Sequence, residues 1–168
     1  RNLKNVIIYQ MTFPIVTDLF KIGHPVPGES IVFPRQGEGY VFKNPFPVHD
    51  RLPICSGVGP DVPDVGIGKL HGIYPGEIPM QFFAYYNDQS GLYLATHDAE
   101  QNVKSFDVRP IGDQSLSPAF TISHFPSGGI NADVISGYDT VLGVFHGDWY
   151  DVADIYKAWA TKQWWCEK

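Results

Sequence analysis

The feature that most constrains this chain is a pair of β-rich runs separated by a short polar segment. Met80–Tyr86 and Leu92–His97 are rich in aromatic and aliphatic residues, and Asn87–Gly91 between them has turn-forming residues at both ends. Two such runs joined by a few turn residues are typical of a β-hairpin. The sequence therefore predicts an antiparallel hairpin near the middle of the chain, within an antiparallel sheet.

Shorter apolar runs bounded by proline or glycine extend this pattern. They predict further strands at 6–9, 13–16, 31–33, 103–109, 118–125, 131–137 and 140–146. Pro14 and Pro34 are expected at sheet edges or strand ends, because proline cannot donate a ladder hydrogen bond. Residues 37–79 are rich in Gly and Pro and predict a structured surface loop with a few strand fragments. With 17 Gly, 14 Pro and 14% aromatic residues, the chain is predicted to be an all-β antiparallel sandwich.

The period of the apolar residues changes after Asp148. Five of them recur at helical spacing, namely Val152, Ile155, Tyr156, Trp159 and Ala160. Asp148 can cap the N-terminus of such a helix, and Asp151 lies where the helix dipole favours negative charge. The sequence predicts one C-terminal amphipathic helix that runs to about Gln163.

These patterns suggest how the chain is organised. We expect the sandwich to occupy residues 1–147, and residues 148–168 to form the helix and the start of a linker. The large apolar residues of Trp164–Cys166 predict contact with a neighbouring domain or subunit. Because the sequence starts with Arg1 rather than methionine, we expect it to be a piece of a longer protein.

Charge and apolar patterning argue against two classes of partner. The net charge is −6, and no run of Lys or Arg occurs. Nucleic acids and anionic membrane surfaces are bound through cationic patches, so neither is an expected partner. No apolar stretch approaches the ~20 residues of a membrane span.

The cysteines and histidines provide no recognisable metal motif. Cys55 and Cys166 lack zinc-ligand spacing, and they are either two buried thiols or a disulfide in an exported protein. The six histidines form no His-x-His or His-Glu-x-x-His motif. We therefore expect neither a metal nor a cofactor.

The order of several short segments resembles a known family. The matching segments are Tyr74-Pro75-Gly76, Met80-Gln81-Phe82, Tyr85-Tyr86, Gly91 to Asp98, Gly147 to Asp151, Ala153 to Tyr156, Trp159-Ala160 and Gln163. They resemble the N-terminal β-sandwich region of a glycoside-hydrolase-like family of largely unknown function. That region is similar to the supersandwich domains that precede the (β/α)8 barrel in endo-α-N-acetylgalactosaminidases and α-galactosidase-like enzymes.

The resemblance implies a division of labour within a longer enzyme. It implies a supersandwich of the galactose-mutarotase-like kind that supports a downstream (β/α)8 barrel, binds carbohydrate at most through a loop, and is secreted or extracytoplasmic. The catalytic carboxylates would lie in the barrel, since no eight-fold βα alternation is present here. We assign no catalytic residue in this chain. A free-standing carbohydrate-binding module and a structural interaction domain remain as alternatives.

Six residues are candidates for contact with a sugar, and each also has a structural explanation. They are Asn87, Asp88, His97, Asp98, Asp148 and Trp149. Carboxylates and amides bind sugar hydroxyls, and aromatic faces stack on pyranose rings. In the structural interpretation the polar residues form turns or cap the helix, and Trp149 packs in the core or against another domain.

Overall fold

The structure is a computed structural model that describes residues 7–17, 19, 28–35, 38–43, 70–110, 118–126 and 137–167. Within these ranges it has nine strands, one helix and one 3₁₀ turn. The strands are β1 (Met11–Val16), β2 (Ser30–Arg35), β3 (Glu38–Lys43), β4 (Leu70–Tyr74), β5 (Phe82–Tyr86), β6 (Gly91–His97), β7 (Lys104–Pro110), β8 (Pro118–His124) and β9 (Asp139–Phe145). The helix α1 spans Trp149–Ala160, and the 3₁₀ turn spans Trp164–Cys166.

The described strands form two sheets in which every paired strand is antiparallel. The first sheet has the order β1-β8-β7-β4, and the second has the order β3-β2-β5-β6-β9. This arrangement confirms the prediction of an all-β sandwich with one C-terminal helix.

The predicted hairpin is formed by β5 and β6, which pair from Phe82↔Ala95 to Tyr86↔Gly91. Its connection has four residues rather than five, because Gly91 already belongs to β6. A Cβ atom at Gly91 would overlap the ring of Phe145, so glycine at this position makes room for that ring.

The main core lies between the two sheets. Its buried side chains come from β2, β5 and β6 on one side and from β4, β7 and β8 on the other. Aromatic rings dominate its centre, where Phe83 stacks on Phe120 and meets Phe106 edge to face, with 5.4 Å between ring centroids in both pairs. Burial of these large side chains is the principal stabilisation of the sandwich.

A second core lies on the opposite face of the second sheet, which α1 covers. Val152 and Tyr156 of the helix pack with buried residues of that sheet, including Phe82 and Tyr93. Ile155 is 38% exposed, so the predicted apolar face is correct at Val152 and Tyr156 but wrong at Ile155, which lies at its flank. The helix therefore belongs to the packed domain.

The N-terminus of α1 agrees with the sequence prediction, and its C-terminus does not. Asp148 is the N-cap and accepts a hydrogen bond from Tyr150 N, while the Asp151 side chain accepts one from Asp148 N. Gly147 has φ +110, and a Cβ atom there would lie 2.0 Å from the Asp151 carboxylate, so the cap requires glycine. The helix ends at Ala160 instead of Gln163, and the chain then turns into the 3₁₀ segment.

Some of the predicted short strands and proline positions agree with the structure, and others do not. Residues 7–10 are not in a strand, and β1 begins at Met11. Pro14 lies in an edge strand, and Pro34 lies near the end of β2, as expected. Strands β3 and β4 are the fragments expected within 37–79, and residues 44–69 of that segment lie outside the described residues. Residues 131–136 of the predicted strand 131–137 also lie outside them.

Two further expectations concern the surface. None of the described helices is long and apolar enough to cross a membrane. Cys166 is exposed and free, so it is not the buried thiol of one sequence interpretation, and Cys55 lies outside the described residues.

Candidate functional site

Three of the six candidate residues meet around one surface pocket. Asn87, Asp88 and Asp148 line a depression of about 430 Å³, which we call the acidic pocket. Its other described lining residues are Gly28, Tyr86, Gly147 and Asp151. The hairpin connection and the start of α1 are adjacent here, as shown by the 2.7 Å hydrogen bond between His146 Nδ1 and the carbonyl of Gln89.

Most polar groups of the acidic pocket are used by the fold. Asn87 Oδ1 accepts hydrogen bonds from the backbone N–H groups of Gln89 and Ser90, both at 2.9 Å. Asp148 and Asp151 form the capping box of α1. Asp88 is exposed. The arrangement matches the turn and cap chemistry of these residue types.

Trp149 lies beside the acidic pocket and is not among its lining residues. It is 49% exposed and contacts Tyr150 edge to face. Its ring is accordingly not part of either described core.

His97 and Asp98 lie at the opposite end of the hairpin from Asn87 and Asp88. The half-buried His97 ring stacks on Trp159 of α1, with 4.7 Å between ring centroids and 8° between planes. Burial lowers the pKa of His97 below its ordinary value, and the nearby charge of Asp139 partly opposes this. His97 is therefore held by aromatic packing rather than projecting freely from the sheet rim.

Asp98 is 1% exposed and organises the turn that follows β6. Its carboxylate accepts hydrogen bonds from the backbone N–H groups of Glu100 and Asn102 at 2.9 and 2.7 Å. The Nζ atom of Lys104 donates to the same carboxylate at 2.6 Å. Asp98 thus serves as a buried anchor for the turn rather than as an exposed ligand for sugar hydroxyls.

Lys104 is fully buried, and a set of polar and aromatic groups compensates its charge. Besides Asp98, its ammonium donates to the carbonyl of Asn102 at 2.6 Å and to Gln81 Oε1 at 3.1 Å. The rings of Tyr74 and Tyr138 lie 4.9 and 4.6 Å from Nζ. Burial lowers the pKa of Lys104, while the hydrogen bond and charge of Asp98 oppose that shift.

Gln81 connects this buried pair to two tyrosines. Its Nε2 donates to the Asp98 carbonyl, and its Oε1 accepts from the Thr96 hydroxyl, each at 2.9 Å. Interaction with Gln81 also lowers the pKa of Tyr74 and of Tyr156, which opposes the larger effect of burial on each. Burial raises the pKa of Tyr74 to about 12, so its hydroxyl keeps its proton at neutral pH.

These tyrosines form one wall of a second depression, which we call the aromatic pocket. It has a volume of about 410 Å³ and lies between the sandwich and the C-terminal segment. Its described lining residues are Tyr74, Pro75, Gly76, Ile78, Pro79, Gln101, Tyr156, Ala160 and Trp165. The lining combines aromatic and apolar surface with one amide side chain, a composition typical of small-molecule sites.

The sequence contained a signal for the buried pair that supports this pocket. Lys104 shares a strand face with Phe106 and Val108, because residues two apart on a strand point the same way. A lysine on an otherwise apolar face indicates a buried cation that needs a partner. The sequence contains no comparable indication that Gln101 and Trp165 line one pocket, because the two residues are distant in sequence.

In the part of the chain that the structure describes, no candidate site for a metal ion is present. No group of three or more His, Cys, Asp or Glu residues there is arranged to hold a metal ion.

Comparison with known proteins yields one partial match. The profile of a family described as "Domain of unknown function (DUF6259)" matches residues 135–168, which include β9, α1 and the 3₁₀ turn. Neither the curated proteins nor the solved structures contain a match to the chain. The matched segment supplies Tyr156, Ala160 and Trp165 to the aromatic pocket.

Proposed function

We propose that this chain is a non-catalytic accessory β-sandwich domain of a carbohydrate-active enzyme of the glycoside hydrolase class, and that it binds a sugar in the aromatic pocket. The observation that carries the proposal is that the aromatic residues Tyr74, Tyr156 and Trp165 line one cavity together with Gln101. Pyranose rings present apolar C–H faces and polar rims, and this lining offers complementary surfaces for both.

The charge of the lining favours a neutral sugar. None of the described residues that line the aromatic pocket carries a charged side chain. A uronate or an amino sugar would leave a desolvated charge without a partner, which is costly. A neutral pyranoside needs hydrogen bonds only, and an amide such as that of Gln101 can both donate and accept them.

We also propose a catalytic domain as the partner of this sandwich. The resemblance to domains that precede a (β/α)8 barrel leads us to propose such a barrel as the catalytic partner, outside the cytoplasm. Exposed aromatic residues along the C-terminal segment support a contact of this kind, since Trp149, Tyr150 and Trp164 are 49%, 58% and 62% exposed. This part predicts βα alternation, with Asp or Glu at strand ends, in the coding sequence that follows Lys168.

A calorimetric titration tests the binding proposal. The protein is titrated with methyl α-D-galactopyranoside, methyl α-D-glucopyranoside and N-acetylgalactosamine as neutral probes, and with galacturonate and galactosamine as charged ones. We expect a neutral probe to bind, and the charged relatives to bind at least tenfold more weakly. Absence of binding to every probe would contradict the proposal.

A structural interaction domain is the second candidate, favoured by the same exposed aromatic residues. It predicts no sugar binding and a loss of association with the rest of the enzyme when Trp164 is replaced by serine. Light scattering of the mixed components separates this function from sugar binding.

A further inference from the structure

We infer that Gln101 is the specificity-determining residue of the aromatic pocket, held in a left-handed backbone conformation so that its amide meets the hydroxyls of the bound sugar. The inference rests on the proposed function, because it assigns the polar contact within that pocket. Neither composition nor motif pointed to Gln101 in the sequence.

The backbone of Gln101 is the first observation. Its φ is +57, and it is the one non-glycine residue with positive φ among the described residues. This conformation is unfavourable for a residue that has a Cβ atom, and glycine or asparagine adopts it more readily. A glutamine in this conformation is uncommon, and residues held in such conformations cluster at functional sites.

The second observation is how the turn is held. The N–H groups of Glu100 and Asn102, on either side of Gln101, both donate to the Asp98 carboxylate. Asp98 is fixed in turn by the buried ammonium of Lys104. The conformation of Gln101 is thus imposed by groups in the protein interior, and the exposed side chain is left available to the pocket it lines.

The third observation is the chemistry of the lining. Gln101 is the one residue with an amide side chain among the described lining residues, and the others are aromatic, apolar or glycine. An amide both donates and accepts hydrogen bonds, so it can match a hydroxyl in one orientation and mismatch its epimer. A site that hydrogen-bonds a hydroxyl discriminates strongly against a ligand that lacks it in that position.

The test compares Gln101→Gly and Gln101→Asn with the unaltered chain. Each protein is titrated with methyl α-D-galactopyranoside and methyl α-D-glucopyranoside, and its Tm is measured. We expect Gln101→Gly to weaken binding of the preferred epimer by about tenfold, to bring the affinity ratio of the two epimers towards one, and to leave Tm unchanged or raised by about 2–4 °C. Gln101→Asn keeps an amide and should retain part of the epimer preference.

The outcomes separate this inference from the proposed function. If the unaltered chain binds neither glycoside nor any other sugar, the proposed function fails, and this inference fails with it. If the unaltered chain binds but Gln101→Gly keeps the affinity and the epimer ratio, the inference alone is overturned. A fall in Tm with an unchanged epimer ratio would assign Gln101 to the fold and also overturn it.

Discussion

The Nζ atom of Lys104 lies 2.6 Å from the Oδ2 atom of Asp98, and the two side chains are 0% and 1% exposed. This buried pair joins β7 to the turn after β6, and through Gln81 it reaches the tyrosines of the aromatic pocket. The aromatic pocket is therefore supported by an ion pair inside the domain.

The buried pair is expected to be costly to break from one side. Lys104→Met should lower the free energy of unfolding by about 3–5 kcal/mol, because it leaves the Asp98 carboxylate buried without its cation. Asp98→Asn combined with Lys104→Met should cost less than the sum of the single changes. Urea unfolding of the unaltered chain, the two single variants and the double variant measures these changes.

The control is an exposed ion pair of the same domain. Lys157 Nζ lies 3.5 Å from Asp154 Oδ1, and their side chains are 69% and 52% exposed. Lys157→Met should change the free energy of unfolding by less than about 1 kcal/mol. An equal effect of Lys157→Met and Lys104→Met would show that burial of the pair does not matter.

The cap of α1 offers a second stability prediction. Asp148→Ala removes the acceptor for Tyr150 N and should lower the free energy of unfolding by about 1 kcal/mol. Asp154→Ala removes the same charge from an exposed helix position that makes no cap, and it should cost less. Thermal unfolding compares the two variants, and equal losses would contradict the capping role.

His124 predicts a pH dependence of stability. It is 3% exposed, and its Nε2 and Nδ1 atoms lie 2.9 and 2.7 Å from the Phe13 carbonyl and the Tyr138 hydroxyl. Burial is the largest cause that lowers its pKa, and the charge of Lys104 adds to it, while the Phe13 carbonyl and Asp98 oppose it.

The direction of this pH dependence follows from the pH at which the folded and the unfolded chain each bind a proton at His124. Because the pKa of His124 is lower in the folded chain than its ordinary value of 6.5, the unfolded chain binds the proton first as pH falls. Stability should decline as pH drops below about 6.5, by up to about 1.4 kcal/mol per pH unit, until the folded chain is protonated too.

Replacement of the ring isolates this contribution. His124→Gln should flatten the dependence of the free energy of unfolding on pH between 7 and 5, whatever its effect at pH 8. His146→Gln, at an exposed histidine, serves as the control and should keep the slope. An unaltered slope in His124→Gln would rule out His124 as the source.

Neighbouring tryptophans provide a matched pair for the pocket. Trp165 lines the aromatic pocket, whereas Trp164 is 62% exposed, is not among the lining residues, and donates its indole N–H to the Ala99 carbonyl. Trp165→Ala should weaken binding of the neutral glycoside by about tenfold or more, because buried aromatic contacts dominate binding energy. Trp164→Ala should change the affinity by less than about twofold. If calorimetry showed a larger loss of affinity in Trp164→Ala than in Trp165→Ala, the aromatic pocket would not be the sugar site.

Local sequence patterns were sufficient for most of the fold. The hairpin at β5 and β6 and the Asp148 cap depend on residues close together in the chain, so their side-chain chemistry was visible in the sequence. The prediction placed the end of α1 near Gln163 rather than at Ala160, because residues 161–163 include neither the glycine nor the proline that commonly marks a helix C-terminus.

The candidate site was less accessible to sequence reasoning. Asp98 was noticed as a polar residue at a strand end, but its partner Lys104 lies on another strand and the pairing is buried. The aromatic pocket joins the turn at Gln101 to the C-terminal Trp165, and such long-range proximity is created by packing of α1 on the sheet. Periodicity specifies a buried face but not which distant loop approaches it.

Sugar binding in the aromatic pocket is tested most directly by ¹H–¹⁵N correlation spectra of the labelled chain. The chain is titrated with methyl α-D-galactopyranoside, or with whichever neutral glycoside binds most tightly. We expect the largest shifts at the amides of Gly76 and Gln101 and at the indole N–H of Trp165. Shifts concentrated at Asp88 and Asp148 would transfer the site to the acidic pocket, and the absence of any shift at saturating sugar would contradict sugar binding by this domain.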